Sequence, residues 1–301
     1  MTHISFLSRP PPNALLGHWP FIKMHGLQNY FVIVDSRDGP KSFDEGDIVR
    51  ICDSHTGVGG EQLLTIEHAS DEGAKAGAYA AMRIFNTDGK EVGACGNATR
   101  CVAHLLLEET SGDEVQVETR AGVLHCRRVG PMQISVTLGP ISMDWRRIPL
   151  ANYVDTLHLP LQSGPLKDGV ALNIGNPHAI FFVDQLDDVD MAHYAPVVQN
   201  DPLFPDGINV GAAQVLDGLT LRLAVWERPG ILTKSCGTGA CVAAHAALKR
   251  GLMTSRRIVV HLSVGSLEIE IVDGDMAVMT GPVAFCCHGF IEGAKCRSLQ
   301  R

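Results

Sequence analysis

The feature that most constrains this chain of 301 residues is that it repeats itself. Gly26-Leu27-Gln28-Asn29-Tyr30-Phe31-Val32-Ile33-Val34-Asp35 aligns with Gly175-Asn176-Pro177-His178-Ala179-Ile180-Phe181-Phe182-Val183-Asp184, an offset of 149 residues. Each is a glycine-led turn entering a short apolar strand that closes on Val-Asp. Val58-Gly59-Gly60-Glu61-Gln62-Leu63-Leu64 matches Val210-Gly211-Ala212-Ala213-Gln214-Val215-Leu216 at four of seven positions, with an offset of 152. A third block runs from Phe85-Asn86-Thr87-Asp88-Gly89 to Cys95-Gly96, and again from Trp226-Glu227-Arg228-Pro229-Gly230 to Cys236-Gly237, offset by 141. Three blocks in one order predict two structurally equivalent halves, and a repeat of this kind decides the fold before any local pattern does.

Within each half the pattern is strands around one helix. Ala81–Phe85 and Leu219–Trp226 have the alternation and β-branched content of strands, as do 114–119, 133–138, 257–262 and 267–272. After each Cys-Gly comes a segment rich in Ala and Leu, 98–109 and 240–249, which reads as helix. Asn97 and Thr238 are good N-cap types, so Cys95 and Cys236 are expected at or just before a helix N-terminus.

Such an end presents unpaired N–H groups and partial positive charge, which lowers a thiol's pKa and offers a place for a carboxylate. Inverting a carbon centre by proton transfer needs one group to take a proton from one face and another to return a proton to the opposite face. Two thiols on matched halves suit that task. Without an electron-sink cofactor, N–H donors near Gly96, Asn97, Gly237 and Thr238 would have to stabilise the charge growing on a substrate carboxylate. No phosphate loop or Schiff-base lysine signal is present, and no cofactor or metal is expected. A cysteine is ordinarily a small buried hydrophobe. Cys52, Cys101, Cys126, Cys241, Cys286, Cys287 and Cys296 are read that way, and His104 and His245 are read as helix packing. The residues alone leave a second class open, in which Cys95 and Cys236 form a redox pair or hold a metal.

Composition narrows the partners. Asp and Glu number 33 against 25 Lys and Arg, a formal charge of −8, so there is no basic surplus for nucleic acid or an anionic membrane. Hydrophobic residues at 45% and charged ones at 19% describe a soluble globular chain, and no apolar run approaches membrane-spanning length. Residues 1–20 carry Arg9 and Pro10-Pro11-Pro12 without an apolar core, and read as a loose extension rather than a secretory signal. Nine cysteines are too sparse for a disulfide scaffold, so reduced thiols in the cytoplasm are expected.

Over most of residues 21–292 the chain resembles the diaminopimelate epimerase family. The resemblance rests on Lys23-Met24-His25-Gly26-Leu27-Gln28-Asn29-Tyr30-Phe31, the Phe85–Gly89 block, Ala94-Cys95-Gly96-Asn97-Ala98-Thr99-Arg100-Cys101, Gly175-Asn176-Pro177-His178, and Glu227-Arg228 followed by Ser235-Cys236-Gly237-Thr238-Gly239-Ala240-Cys241. It implies pyridoxal-phosphate-independent interconversion of LL- and meso-diaminopimelate in lysine and cell-wall precursor synthesis, with Cys95 and Cys236 exchanging the roles of thiolate base and thiol acid. By the same resemblance Asn29, Gln62, Asn86, Asn176, Asn209, Glu227 and Arg228 line the substrate site. Glu227 suits an ammonium and Arg228 a distal carboxylate, while the amides orient polar groups without adding charge. That distal recognition argues against a smaller amino acid such as proline. The implied fold is α+β: two pseudo-symmetric domains, each a β-barrel-like sheet around a central helix, with the active-site cleft between them. The expected domains are residues 1–139 plus 282–301, and 140–281, the breaks falling at Gly139-Pro140 and Gly281-Pro282. The expected partners are a small-molecule substrate and a second copy of the chain. Three residues depart from the family pattern: Gln28 stands for a glycine, Tyr30 for an aspartate, and Leu232 for a glutamate.

Overall fold

The computed structural model describes residues 18–39, 43–93 and 95–292. They divide into two compact units, one taking the chain up to Val136 and again from Pro282, the other taking Thr137–Gly281.

The first unit begins with β1 (His18–Gly26) and β2 (Asn29–Asp35), which form an antiparallel hairpin. The expected loose extension therefore ends sooner than residue 20, because His18, Trp19 and Pro20 already pair along a strand; residues 1–17 lie outside the described residues. Next come α1 (Glu45–Cys52), β3 (Gln62–Glu67), α2 (Asp71–Lys75), β4 (Ala80–Asn86), β5 (Glu91–Val92), α3 (Gly96–Thr110), β6 (Glu114–Thr119), β7 (Gly122–Gly130) and β8 (Gln133–Leu138). β2 runs parallel to β3 and β3 antiparallel to β4. β4 pairs antiparallel with β5 and parallel with β6, which continues antiparallel through β7 to β8.

The second unit opens with the small pair β9 (Gln162–Ser163) and β10 (Leu166–Lys167), followed by β11 (Val170–Asn173), β12 (Pro177–Phe182), α4 (Met191–Gln199), β13 (Asn209–Asp217), β14 (Thr220–Glu227), β15 (Ile231–Thr233), α5 (Gly237–Lys249), β16 (Arg257–Leu262), β17 (Gly265–Val272) and β18 (Met276–Pro282). Its ladders reproduce the first unit's one for one. β11 pairs antiparallel with β12, β12 parallel with β13, β13 antiparallel with β14, and β14 antiparallel with β15 and parallel with β16, which leads antiparallel through β17 to β18. The last strand, β19 (Ala284–Glu292), returns to pair antiparallel with β1.

The ladders also correct two blocks of the internal alignment. Phe85 and Trp226, matched at the 141-residue offset, sit opposite Leu63 and Val210, and these in turn sit opposite Val32 and Ala179. Leu63 therefore corresponds to Val210 and Asn29 to Asn176, so the 149-residue match is two residues out of register and the 152-residue match five.

Each sheet surrounds a helix. Every residue of α3 from Gly96 to Leu107 is buried, as is α5 from Gly239 to Ala247. Helices buried on all sides belong to a core, which is why both are rich in Ala and Leu and carry little charge. Each unit also has a second helix that the sequence reading did not expect. Ile48, Ile51 and Cys52 of α1 pack on Val32, Val34 and Leu63, and Met191, Ala195 and Val198 of α4 pack on Phe181, Val210 and Ala212. Strands β2 and β12 are consequently buried on both faces and read as continuous apolar runs. Among the described residues no helix is long and apolar enough to cross a membrane.

Candidate active site

Both cysteines are themselves the N-caps. Cys95 precedes α3 with φ −148° and ψ 112°, and Cys236 precedes α5 with φ −118° and ψ 106°. Their carbonyls accept the first helical bonds, from Thr99 N–H at 2.9 Å and Ala240 N–H at 3.0 Å. Asn97 and Thr238, read from sequence as cap residues, instead occupy the second helical position. Each cysteine thus stands at its helix N-terminus, beside the positive end of the helix, one of the two placements expected for it.

In the first unit the polar groups gather round Cys95, which is half-buried. The Cys95 thiol donates to Asn29 Oδ1 at 3.8 Å, and the same oxygen accepts from Asn97 Nδ2 at 3.2 Å. Asn29 Nδ2 donates in turn to Glu61 Oε2. Gln62 and Asn86 are cross-strand partners on β3 and β4, and Gln62 Nε2 donates to Asn86 Oδ1 at 2.9 Å. Gln62 Oε1 is buried and has no hydrogen-bond partner among the described residues.

The turn that presents Asn29 is strained. Leu27 and Gln28 have φ of 52° and 59°, and they link the paired residues Gly26 and Asn29 as a two-residue hairpin loop. Positive φ at both positions is the type I′ geometry, which favours Asn-Gly and costs other residues about 1–2 kcal/mol each. The departure at Gln28 thus keeps the turn, its N–H donating to His25 Nδ1 at 3.3 Å. The departure at Tyr30 places a ring edge-to-face with His25, with Lys23 Nζ 5.6 Å from its centroid. Gly26 is required where it stands, because a Cβ there would lie 2.9 Å from the buried Arg100 guanidinium.

In the second unit Cys236 is buried, and its sulfur accepts from the Gly239 N–H at 3.3 Å as a serine cap would. A Cβ at Gly239 would fall 3.1 Å from that sulfur, so glycine keeps the approach open. Thr238 Oγ1 lies 3.5 Å from the same sulfur. A helix end by itself lowers a thiol's pKa, but at Cys236 the net effect is the reverse. Burial and the adjacent Glu227 carboxylate push Cys236 well above the usual thiol range, against the smaller opposing effects of Thr238 and the Gly239 N–H. Glu227, the last residue of β14, is also held by Thr233 Oγ1 at 3.1 Å.

Asn176, Asn209 and Thr238 meet at a residue to which the sequence reading gave no role. His178 is fully buried, and its Nε2 lies 3.2 Å from both Asn176 Oδ1 and Thr238 Oγ1, and 3.4 Å from Asn209 Nδ2. Asn176 Nδ2 donates to Thr238 Oγ1 at 3.3 Å. Desolvation, helped by Arg228, lowers the His178 pKa to about 3, so the ring is neutral. Asn209 Oδ1 accepts from the Arg228 backbone N–H at 2.9 Å, while Arg228 Nη1 donates to the Asp206 carbonyl at 2.9 Å. The contacts Asn29–Asn97 and Asn176–Thr238 are the same contact in the two units.

The remaining cysteines divide. Cys52, Cys101, Cys126 and Cys241 are buried, and burial raises Cys52 to about 11 and Cys126 to about 12. Cys286 and Cys287 are exposed on β19, contrary to the packing role expected of them; Cys296 lies outside the described residues. His104 and His245 are buried within α3 and α5. Among the described residues no three His, Cys, Asp or Glu side chains cluster as a metal site.

Known proteins are similar to this chain along nearly its whole length. A family model described as "Diaminopimelate epimerase" matches residues 21–143 and 170–286. A protein named diaminopimelate epimerase from Rhodospirillum centenum is 44% identical over 269 residues, covering 89% of this chain and 91% of its own. One of the same name from Acidiphilium cryptum is 42% identical over 275 residues, covering 91% and 97%. Among solved structures, a hydroxyproline epimerase from Agrobacterium vitis with bound trans-4-OH-L-proline shares the fold, with a TM-score of 0.64 at 16% identity over 92% of this chain and 93% of that one.

Proposed function

The chain belongs to the diaminopimelate epimerase family, and on that premise we propose that it inverts one α-carbon of LL-diaminopimelate to give the meso isomer for lysine biosynthesis, using Cys95 and Cys236 as its acid–base pair. The observation that carries this reading is the matched architecture: equivalent strand ladders in both units, each around a buried helix whose N-cap is a cysteine.

The chemistry follows from the surroundings of each thiol. In the ligand-free chain Cys236 rests protonated, because burial and the Glu227 carboxylate both oppose its ionisation. A substrate ammonium at Glu227 neutralises the charge that opposes the thiolate, so with substrate in place Cys236 can release its proton to solvent and serve as a base. Whichever thiol is ionised takes the α-proton, and the other, still protonated, gives its proton to the opposite face; in the reverse direction the roles exchange. The N–H groups of Gly96, Asn97, Gly237 and Thr238, opening α3 and α5, supply donors for the charge that grows on the carboxylate. Gln62 Oε1 is an unpaired acceptor suited to an ammonium, and the Arg228 guanidinium to the distal carboxylate. Reduced thiols are the working form, which suits a reducing compartment such as the cytoplasm.

The test is to incubate the purified, reduced chain with LL-diaminopimelate and resolve the stereoisomers. Formation of the meso isomer to an equilibrium mixture is expected. Turnover of proline or hydroxyproline, with LL-diaminopimelate left unchanged, overturns the substrate assignment.

A further inference from the structure

The Asn29 amide is held from two sides. Its Nδ2 donates to Glu61 Oε2, and its Oδ1 accepts from Asn97 Nδ2 and from the Cys95 thiol. Glu61 is fixed by its own backbone, whose N–H donates to the Tyr30 carbonyl at 2.8 Å just ahead of β3. An amide can present either its donor or its acceptor edge, and these partners differ in whether they can follow a flip. The Asn97 amide can turn over, and a thiol can donate or accept. A carboxylate can only accept. Glu61 is therefore the partner that decides which edge of Asn29 faces Cys95.

We propose that Glu61 is a positioning residue: by accepting from Asn29 Nδ2 it turns the Asn29 carbonyl oxygen onto Cys95 and holds that cysteine as a thiol until ligand engages the amide. This deepens the two-thiol reading and rests on it. A carbonyl oxygen aimed at the sulfur stabilises S–H over S⁻, whereas an amide N–H in its place stabilises the thiolate. Glu61 thus does for Cys95, through one amide, what Glu227 does for Cys236 directly. Charged or titratable groups packed near this cluster include Arg100 and Cys101 on α3, Lys23 and His25 on β1, and Tyr30 on β2. None of them changes in the substitutions below.

Glu61→Gln keeps the size of the side chain and still pairs with Asn29, but with either edge, so it removes only the orientation. The measurement is the iodoacetamide alkylation rate of Cys95 in the reduced, substrate-free, full-length chain at neutral pH, read by peptide mass. E61Q is expected to alkylate about fivefold faster at Cys95, because the flipped amide donates to the thiolate and nucleophilicity falls only partly with pKa. Glu61→Asp, which retains an acceptor-only group, is expected to stay within about twofold of the parent, and E61Q made in an Asn29→Ala background is expected to change nothing. No acceleration in E61Q overturns the proposal. So does equal acceleration in the N29A background, which would mean that the carboxylate acts on the sulfur directly. Steady-state kinetics add a second readout: E61Q lowers kcat with KM nearly unchanged, and a rise in KM alone counts against a positioning role. Alkylation needs no substrate, so a chain that alkylates as stated but leaves LL-diaminopimelate unconverted breaks the functional reading and not this one.

Discussion

The two helix starts are built alike and furnished differently. Cys95 and Cys236 cap equivalent helices, and in each unit an asparagine from the equivalent strand start, Asn29 or Asn176, bonds the residue two places after the cysteine. Around Cys95 the immediate partner is a neutral amide, with the carboxylate of Glu61 one hydrogen bond away. Around Cys236 the carboxylate of Glu227 acts on the buried sulfur itself, opposed by a hydroxyl and a backbone N–H. Backbone symmetry thus supplies two equivalent positions for a cysteine, and side-chain asymmetry gives each sulfur different partners.

Four substitutions test that contrast, in falling order of effect. Replacing either Cys95 or Cys236 with Ala is expected to lower turnover by about 10²–10⁴-fold, the usual share of a general acid or base. Substantial activity in one variant alone would mean that the halves are not equivalent in the chemistry. Next, Glu227→Gln removes the charge that opposes Cys236 ionisation, so alkylation of Cys236 at neutral pH is expected to rise about tenfold while Cys95 holds its parent rate. Thr238→Val is expected to move Cys236 the other way, because a donor to the thiolate is lost.

A smaller effect comes from His178. Its folded pKa of about 3 lies below the unfolded value of 6.5, so below pH 6.5 the unfolded chain binds a proton that the folded chain does not. The stability contributed by the neutral ring is complete above pH 6.5 and is lost as pH falls toward 3. His178→Asn, which removes the titrating ring, is expected to flatten that part of the pH dependence of the urea midpoint. An unchanged slope would remove His178 as its source. The smallest effect is at the strained turn, where Gln28→Gly relieves a left-handed residue and is expected to stabilise the chain by about 1 kcal/mol in urea unfolding.

Much of this was legible in the residues. The duplication is visible because turns and helix starts need particular residue types, and the strand ladders carry it through both units. Its two strand blocks are harder to align because apolar strands match one another in several registers, and only the ladders through Phe85, Leu63 and Val32 and through Trp226, Val210 and Ala179 settle which is real. Helix α3 and helix α5 announce themselves by continuous Ala and Leu. The outer helices do not: α1 spans eight residues, and α4 has Pro196 inside it, which reads as a break. At the site the matched cysteines were plain, but their role as caps was hidden by better cap formers two residues later. Glu61 and His178 were missed because each acts through a neighbour's side chain, and such contacts have no spacing rule in sequence.

Deuterium labelling during initial turnover of LL-diaminopimelate in heavy water tests the paired-thiol account most directly. Two separate proton carriers predict one deuterium at the inverted carbon of the meso product and almost none in recovered LL substrate. Deuterium entering substrate and product at equal rates, or product that retains the original proton, points to a single shuttling base and contradicts the account.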